Sequence, residues 1–443
     1  MENNVRFQVG IGKEDITPDA DGYIVGGLYP RKTRFIKDPL FSKALVIDNG
    51  TEKIAIISLD LIVLLSEDVR SMKTEIEKAT GILSDNIFLC PSHTHSGPYT
   101  HIVELNIHAS YLERNHIHTD IREKTSSYMS KLRELVVRSA VRANDDLEAC
   151  KLGTANADVN GVSHNRRLMK GSNDCWNSWL LTREEGALYP SEGPIDPNVF
   201  VLAAVKSDGT VKALLYNFAV HACNNPTLEC VSADFPGVVE QVVSKALGYE
   251  VTTFYMAGPC GNINSHLDSD ELGTRIGEEI VTSVASLNFL TKNVLRVQNV
   301  EIDLPLRENI ELQEEEIKRK WPDGLDFFSH SNQLLQSIKK PSYKAALSGI
   351  RLGDTAMVTM PLELFVEYGL DIIKHSPFAN TTVATLTNGC LGYVPTLRAF
   401  ENGGYETFNS TNSYLTLQAG NELVTHSVAI LNQLYGEETS DEG

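Results

Sequence analysis

The sequence predicts an α/β fold with large mixed β-sheets flanked by helices, arranged as a single domain over residues 1–443. Three observations carry that expectation. Apolar runs of strand length recur along the chain, each followed by a turn and an amphipathic helical pattern, which is how α/β architecture is written. Hydrophobic residues make up 42% and charged residues 22% of the chain, close to ordinary globular values, so a sizeable core is available. No repeat at a fixed period and no low-complexity linker divides the sequence, so its length allows one large α/β unit as readily as about three domain-sized ones.

Taken in order, residues 44–47 and 54–59 read as strands, and 66–79 as a helix with Ser66 at its N-cap. Residues 86–90 read as the next strand, before a long helix over about 121–143. Later strands are expected at 199–205, 213–220, 251–256, 346–352, 356–360 and 381–386. The helices among them are expected at 236–247, 271–287, 362–374 and 417–434. The stretches 101–118 and 172–197 break the alternation with irregular polar sequence, and insertions of that kind usually line the rim of a site.

Charge limits the partners. With 39 Lys+Arg against 58 Asp+Glu the formal charge is −19, which repels a phosphate backbone or an anionic bilayer unless a basic patch intervenes. The short basic clusters at 318–320, 339–340 and 166–167 are each flanked by acids or apolar residues, so no nucleic acid is expected. The N-terminus lacks a basic stretch followed by an apolar one, and the longest uncharged run, 376–397, carries Asn, Thr, Gly and Pro throughout. No integral membrane segment is therefore expected. Seven cysteines without a CxxC pair suit reduced thiols, and the expected location is cytoplasmic.

The densest chemical signal is 91–98 (PSHTHSGP), directly after the strand that ends at Cys90. Ligands collect beyond the C-terminal ends of parallel strands, and His93 and His95, two apart in an extended segment, face the same way. Such a pair presents two imidazoles to one metal; the alternative is loop histidines bonded to backbone. His221 closes the apolar strand 213–220, where a satisfied core histidine competes with a ligand, and the loop 232–237 (SADFPG) after it opens a helix. Glu363 follows a strand end in 360–363 (MPLE), expected in the first turn of a helix, where a simple dipole-stabilising acid is the alternative. Tyr393 closes 387–393 (TNGCLGY), otherwise a turn with a packed aromatic. Together the four strand ends offer an N/O set suited to zinc, spread over some 300 residues so that spacing alone proves no convergence.

Motif by motif and in the same order, the chain resembles the neutral, non-lysosomal ceramidase family of zinc-dependent amidases. The segment 10–18 (GIGKEDITP) is similar to the family's N-terminal signature, 92–98 to its zinc-histidine loop, and 218–221 (FAVH) with 232–237 to its second-histidine region. The turn 360–363 resembles the one that gives the acidic ligand, and Tyr393 and Tyr405, twelve apart, match the spacing of the family's two tyrosines, Glu406 completing a Tyr-Glu pair. The resemblance implies a zinc ion (Zn2+) on His93, His221, Glu363 and Tyr393, with His95 beside the metal water. It also implies catalytic roles for His95, Arg166 and Tyr405, and a supporting role for Asp60 that an ordinary strand-end carboxylate would equally explain. The chain departs from the family at 261–266 (GNINSH), where Asn264 takes a serine position expected to bind substrate, and Tyr99-Thr100 replaces a Gly-Gly. An immunoglobulin-like C-terminal domain is not expected.

The implied activity is zinc-dependent hydrolysis of a C–N acyl bond by a metal-activated water, His95 taking the proton and Tyr405 and Arg166 stabilising the oxyanion. The expected partner is a small-molecule N-acyl substrate, smaller or more soluble than ceramide. True ceramide cleavage, ester cleavage and metal-dependent binding without catalysis are the alternatives.

Overall fold

The computed structural model describes residues 6–100, 108–225 and 229–436. Alternation of side chains along each strand decides the layering. In Phe41–Asp48 and Lys53–Leu59, Ala44, Val46, Ala55 and Ile57 pack under the helices Ser66–Thr80 and His118–Asp145. Leu45, Ile47, Ile54 and Ile56, on the opposite face, join Leu295, Ile350, Leu352 and Met357 of a second sheet. Because side chains alternate with period two, both faces of these strands need apolar cover, and burying each such side chain contributes about 1.5–3 kcal/mol.

The larger sheet has nine strands among the described residues and is mixed. Its path runs Thr252–Ala257, Val211–Phe218, Asn198–Val205, Glu148–Asp158, Phe7–Asp15, Phe41–Asp48, Lys53–Leu59, Ile87–Pro91, with Asn288–Phe289 beside Glu148–Asp158. Its two ends are parallel pairs, Val211–Phe218 with Thr252–Ala257 and Lys53–Leu59 with Ile87–Pro91, and the pairings between are antiparallel. The second sheet orders Leu295–Pro305, Ser342–Leu352, Thr355–Thr359 and Asn380–Ala384, the last two parallel. Its outer face, with Leu347, Val358 and Val383, packs on helices Val366–Lys374 and Ala419–Gly436, giving layers of helix, sheet, sheet and helix. Asn217 joins the sheets through bonds to Val383 O and Thr382 Oγ1.

The α/β expectation holds, with mixed sheets flanked by helices. Three local expectations are corrected. Ser66 is the first helical residue and Leu65 the N-cap, with no side-chain cap. Glu363 lies in the two-residue strand Glu363–Leu364, paired in parallel with Tyr393–Val394, and the helix starts only at Val366. His93 has φ +64°, so the His-x-His segment is kinked, not extended. Glu148–Asp158 and Leu295–Pro305 were not expected as strands; the first carries Gly, Asn and Lys, and the second lies at a sheet edge with charged residues in alternate places. Of the two irregular stretches, residues 101–107 lie outside the described residues.

Candidate metal centre and active site

The parallel pairs Lys53–Leu59 with Ile87–Pro91, Val211–Phe218 with Thr252–Ala257, and Thr355–Thr359 with Asn380–Ala384 end close together, Thr385 N–H donating to Ala257 O and Asn388 N–H to Leu89 O, and the candidate site lies beyond those ends. From Ile87–Pro91 the chain turns so that His93 N–H donates to Leu61 O and His95 N–H to Ala222 O, both at 2.9 Å. Thr94 Oγ1 donates to Ser232 O at 2.7 Å, locking this loop to the segment after the second histidine. His221 stands three residues past Val211–Phe218, and Asn224 and Asp234 hold its loop, Asp234 capping the helix Phe235–Leu247 from φ +60°. Glu363 and Tyr393 are facing residues of a separate short parallel pair, Glu363–Leu364 with Tyr393–Val394, which follows the second sheet's strands Thr355–Thr359 and Asn380–Ala384 in the chain.

The imidazoles converge. The candidate ligand atoms of His93, His95 and His221 all lie within 4.8 Å of one another. His93 Nδ1 and His95 Nδ1 each meet a carbonyl, Ile62 O and Gly26 O, at 2.9 Å. A carbonyl only accepts, so the proton sits on Nδ1 and Nε2 carries the lone pair. His221 Nε2 faces Arg166 Nη1 at 3.1 Å; a guanidinium only donates, so this nitrogen too presents a lone pair. Glu363 Oε2 lies 3.4 Å from His93 Nε2 and 3.5 Å from His221 Nε2, and is buried without a hydrogen-bond partner among the described residues.

Four acceptors thus face one another with too few donors to satisfy them, an arrangement that costs free energy in a buried site unless a cation fills it. A divalent metal fits this donor set. Burial, then His93 and His221, push His95 well below the ordinary imidazole value, and burial and Arg166 lower His221 to about 4. His95 and His221 are neutral at physiological pH, as metal ligation or proton acceptance requires. Tyr393, packed beside Glu363, is pushed up by burial and by that charge.

Arg166, on the segment between His164–Asn165 and Arg167–Gly171, is 3% exposed. Its Nε donates to Glu406 Oε1 at 2.8 Å and Nη1 to Asn264 Oδ1 at 3.2 Å, while Nη2 has no hydrogen-bond partner among the described residues. Its Cζ lies over the rings of Trp179, Tyr393 and Tyr405 at 4.8, 5.5 and 5.9 Å. Tyr405 begins the turn Tyr405–Thr407, with its ring 5.5 Å from that of Tyr393, and burial raises its phenol to about 12, so it remains a donor near neutrality. All eight expected site residues, His93, His95, Arg166, His221, Asn264, Glu363, Tyr393 and Tyr405, therefore belong to one contiguous cluster.

Asp60 does something different. Its Oδ2 accepts from Phe41 N–H at 2.8 Å, its Oδ1 is buried without a hydrogen-bond partner among the described residues, and burial, moderated by Lys43, raises its carboxyl to about 6. Residues that sequence reasoning missed form the frame. Asn262 ties three segments together, its carbonyl accepting from Arg166 N–H and its side chain bonding Val366 N–H and Glu367. Arg167, fully buried, meets Glu192 and Glu406. Arg166 was marked by the family resemblance, whereas Arg167 was visible only as its neighbour in a basic cluster. Arginines that are buried must find carboxylates, but nothing in the sequence announces that these two are buried or which acids they meet.

Residues 7–260 match the family described as neutral/alkaline non-lysosomal ceramidase, N-terminal, and the chain belongs to that family. Among solved structures it is similar to a ceramidase complexed with C2, at TM-score 0.72 and 17% identity over 98% of this chain and 76% of that one. It is also similar to the neutral ceramidase from Pseudomonas aeruginosa, at TM-score 0.70 and 17% identity over 97% and 75%. No curated protein sequence matches it.

Proposed function

We propose that the chain is a zinc-dependent hydrolase of C–N acyl bonds acting on a small N-acyl compound. The observation that carries this reading is the cluster of Nε2 lone pairs and the unpartnered Glu363 Oε2 beside Arg166 and Tyr405. His93, His221, Glu363 and Tyr393 would hold the ion. Bound there, zinc supplies Lewis acidity for the acyl carbonyl and makes water acidic near neutral pH.

The chain's own residues account for the rest. His95 has its Nδ1 proton fixed on Gly26 O, so its Nε2 is free to take a proton from the attacking water and return it to the leaving nitrogen. The C–O bond forms, the C–N bond breaks, and the products are a carboxylate and an amine. Tyr405, a protonated phenol, and Arg166, with Nη2 unsatisfied, are the donors for the developing oxyanion, a contribution of about 3–4 kcal/mol for a well-placed donor. Asn264 positions Arg166 through Nη1 and borders the substrate.

A small substrate is supported by the charge of −19, which disfavours approach to an anionic surface. Among the described residues no helix is long and apolar enough to cross a membrane. The test is release of free amine from N-acyl compounds of graded chain length, ceramide in mixed micelles and matched esters included, by the zinc-loaded chain. Cleavage of short amides is expected, and Tyr405→Phe should lower kcat by about 100-fold while retaining metal. Exclusive cleavage of ceramide or of esters would change the substrate, and metal binding without turnover on any of them would make the chain a binding protein.

A further inference from the structure

This inference deepens the amide-hydrolase reading and rests on it. Trp179, in the turn Ser178–Leu180, is 39% exposed although it borders the candidate site. Arg166 Cζ lies 4.8 Å from its ring, and Tyr405 and Trp321 meet it near edge-on at 5.5 and 6.5 Å. Arg166 is in turn held by Glu406 and Asn264. The indole is thus ordered without being buried, and a fixed aromatic face beside reacting groups is surface for a ligand.

Its polar neighbours narrow the ligand's chemistry. Ser178 Oγ and His164 Nε2 share a hydrogen bond at 3.0 Å, and His164 stacks on His266 with ring centroids 3.6 Å and planes 4° apart. His164 Nδ1 and Arg166 Nη2 are buried without hydrogen-bond partners among the described residues. Burial, with His266 and Arg166 nearby, lowers His164 to about 3, so this pair carries no charge near neutral pH. The positive charges of Arg166 and Arg167 are matched by Glu406 and Glu192. Arg166 and Arg167 therefore offer a substrate carboxylate no unpaired charge, Arg183 acts on His266 and not on His164, and an alkyl chain would leave the polar atoms unsatisfied. A ring with an apolar C–H face and several hydroxyls satisfies both the indole and its neutral neighbours. We propose that Trp179, His164 and Ser178 form a subsite for a neutral hydroxylated ring, so that the substrate is an N-acyl amino sugar.

The test compares N-acetylglucosamine with N-cyclohexylacetamide, which keeps the acetamide and the six-membered ring but lacks the hydroxyls, on the zinc-loaded full chain. The sugar should be favoured in kcat/KM by about tenfold or more, and Trp179→Ala should collapse that ratio, chiefly through the KM of the sugar. A ratio is insensitive to a general loss of folded protein. Equal or reversed selectivity, or a Trp179→Ala effect that is parallel on both compounds, overturns the proposal. Saturation-transfer NMR supplies a second readout: N-acetylglucosamine should bind the wild-type chain and lose most of its signal with Trp179→Ala, and absence of binding to wild type also overturns the subsite. Sugar binding with no amide cleaved would remove the hydrolase reading and leave the subsite standing.

Discussion

Glu406 has no exposed surface and accepts from Arg166 Nε, Arg167 Nη1 and Asn177 Nδ2 at 2.6–2.8 Å. Burial alone would keep its carboxyl neutral, but the two arginines hold it below the usual value of 4.5. Removing one partner of a buried pair strands the other charge, so Glu406→Ala should lower unfolding free energy by about 3–5 kcal/mol at pH 7, read by denaturant titration. The sign of the pH dependence follows from the depressed carboxyl: its stabilisation is complete above 4.5 and lost as pH falls towards the folded value, so the penalty of the substitution should shrink in acid. At this scale the sequence was partly legible. Tyr405-Glu406 stood out as a pair, but the role of Glu406 did not, because its partner Arg166 lies 240 residues earlier.

Among the elements, strand ends were the most legible feature. Apolar runs closing on His, Glu and Tyr placed the site, since a strand that is buried on both faces must end where its polar residues can be used. The turns at those ends were not legible. His93 adopts φ +64° because its N–H and Nδ1 are both tied to the segment Leu61-Ile62, contacts that no local pattern announces. Gly26 is another hidden support: at φ +98° it accepts from His95 Nδ1, and a Cβ there would lie 2.6 Å from His95 Cα. Gly26→Ala should displace the imidazole and lower kcat by about 100-fold, with zinc content measured in parallel remaining near wild type because His93, His221 and Glu363 belong to other contacts. Loss of zinc together with activity would instead place His95 among the ligands.

The whole molecule brings residues 93, 166, 221, 363, 393 and 405 together by packing one mixed sheet on another, an arrangement no spacing rule encodes. The family's motifs pointed to the same residues, and the match over 7–260 stops before the acid and both tyrosines, which come from the short pair Glu363–Leu364 with Tyr393–Val394 and from the turn Tyr405–Thr407. The central claim is that this convergence holds a catalytic metal. Elemental analysis of the purified full chain, with His93→Ala and Glu363→Ala alongside and circular dichroism to confirm folding, tests it most directly. The account predicts about one zinc per chain in the wild type and loss of that zinc in both variants with the fold intact. A wild-type chain that is folded, takes up no zinc on titration and still hydrolyses its substrate would contradict it.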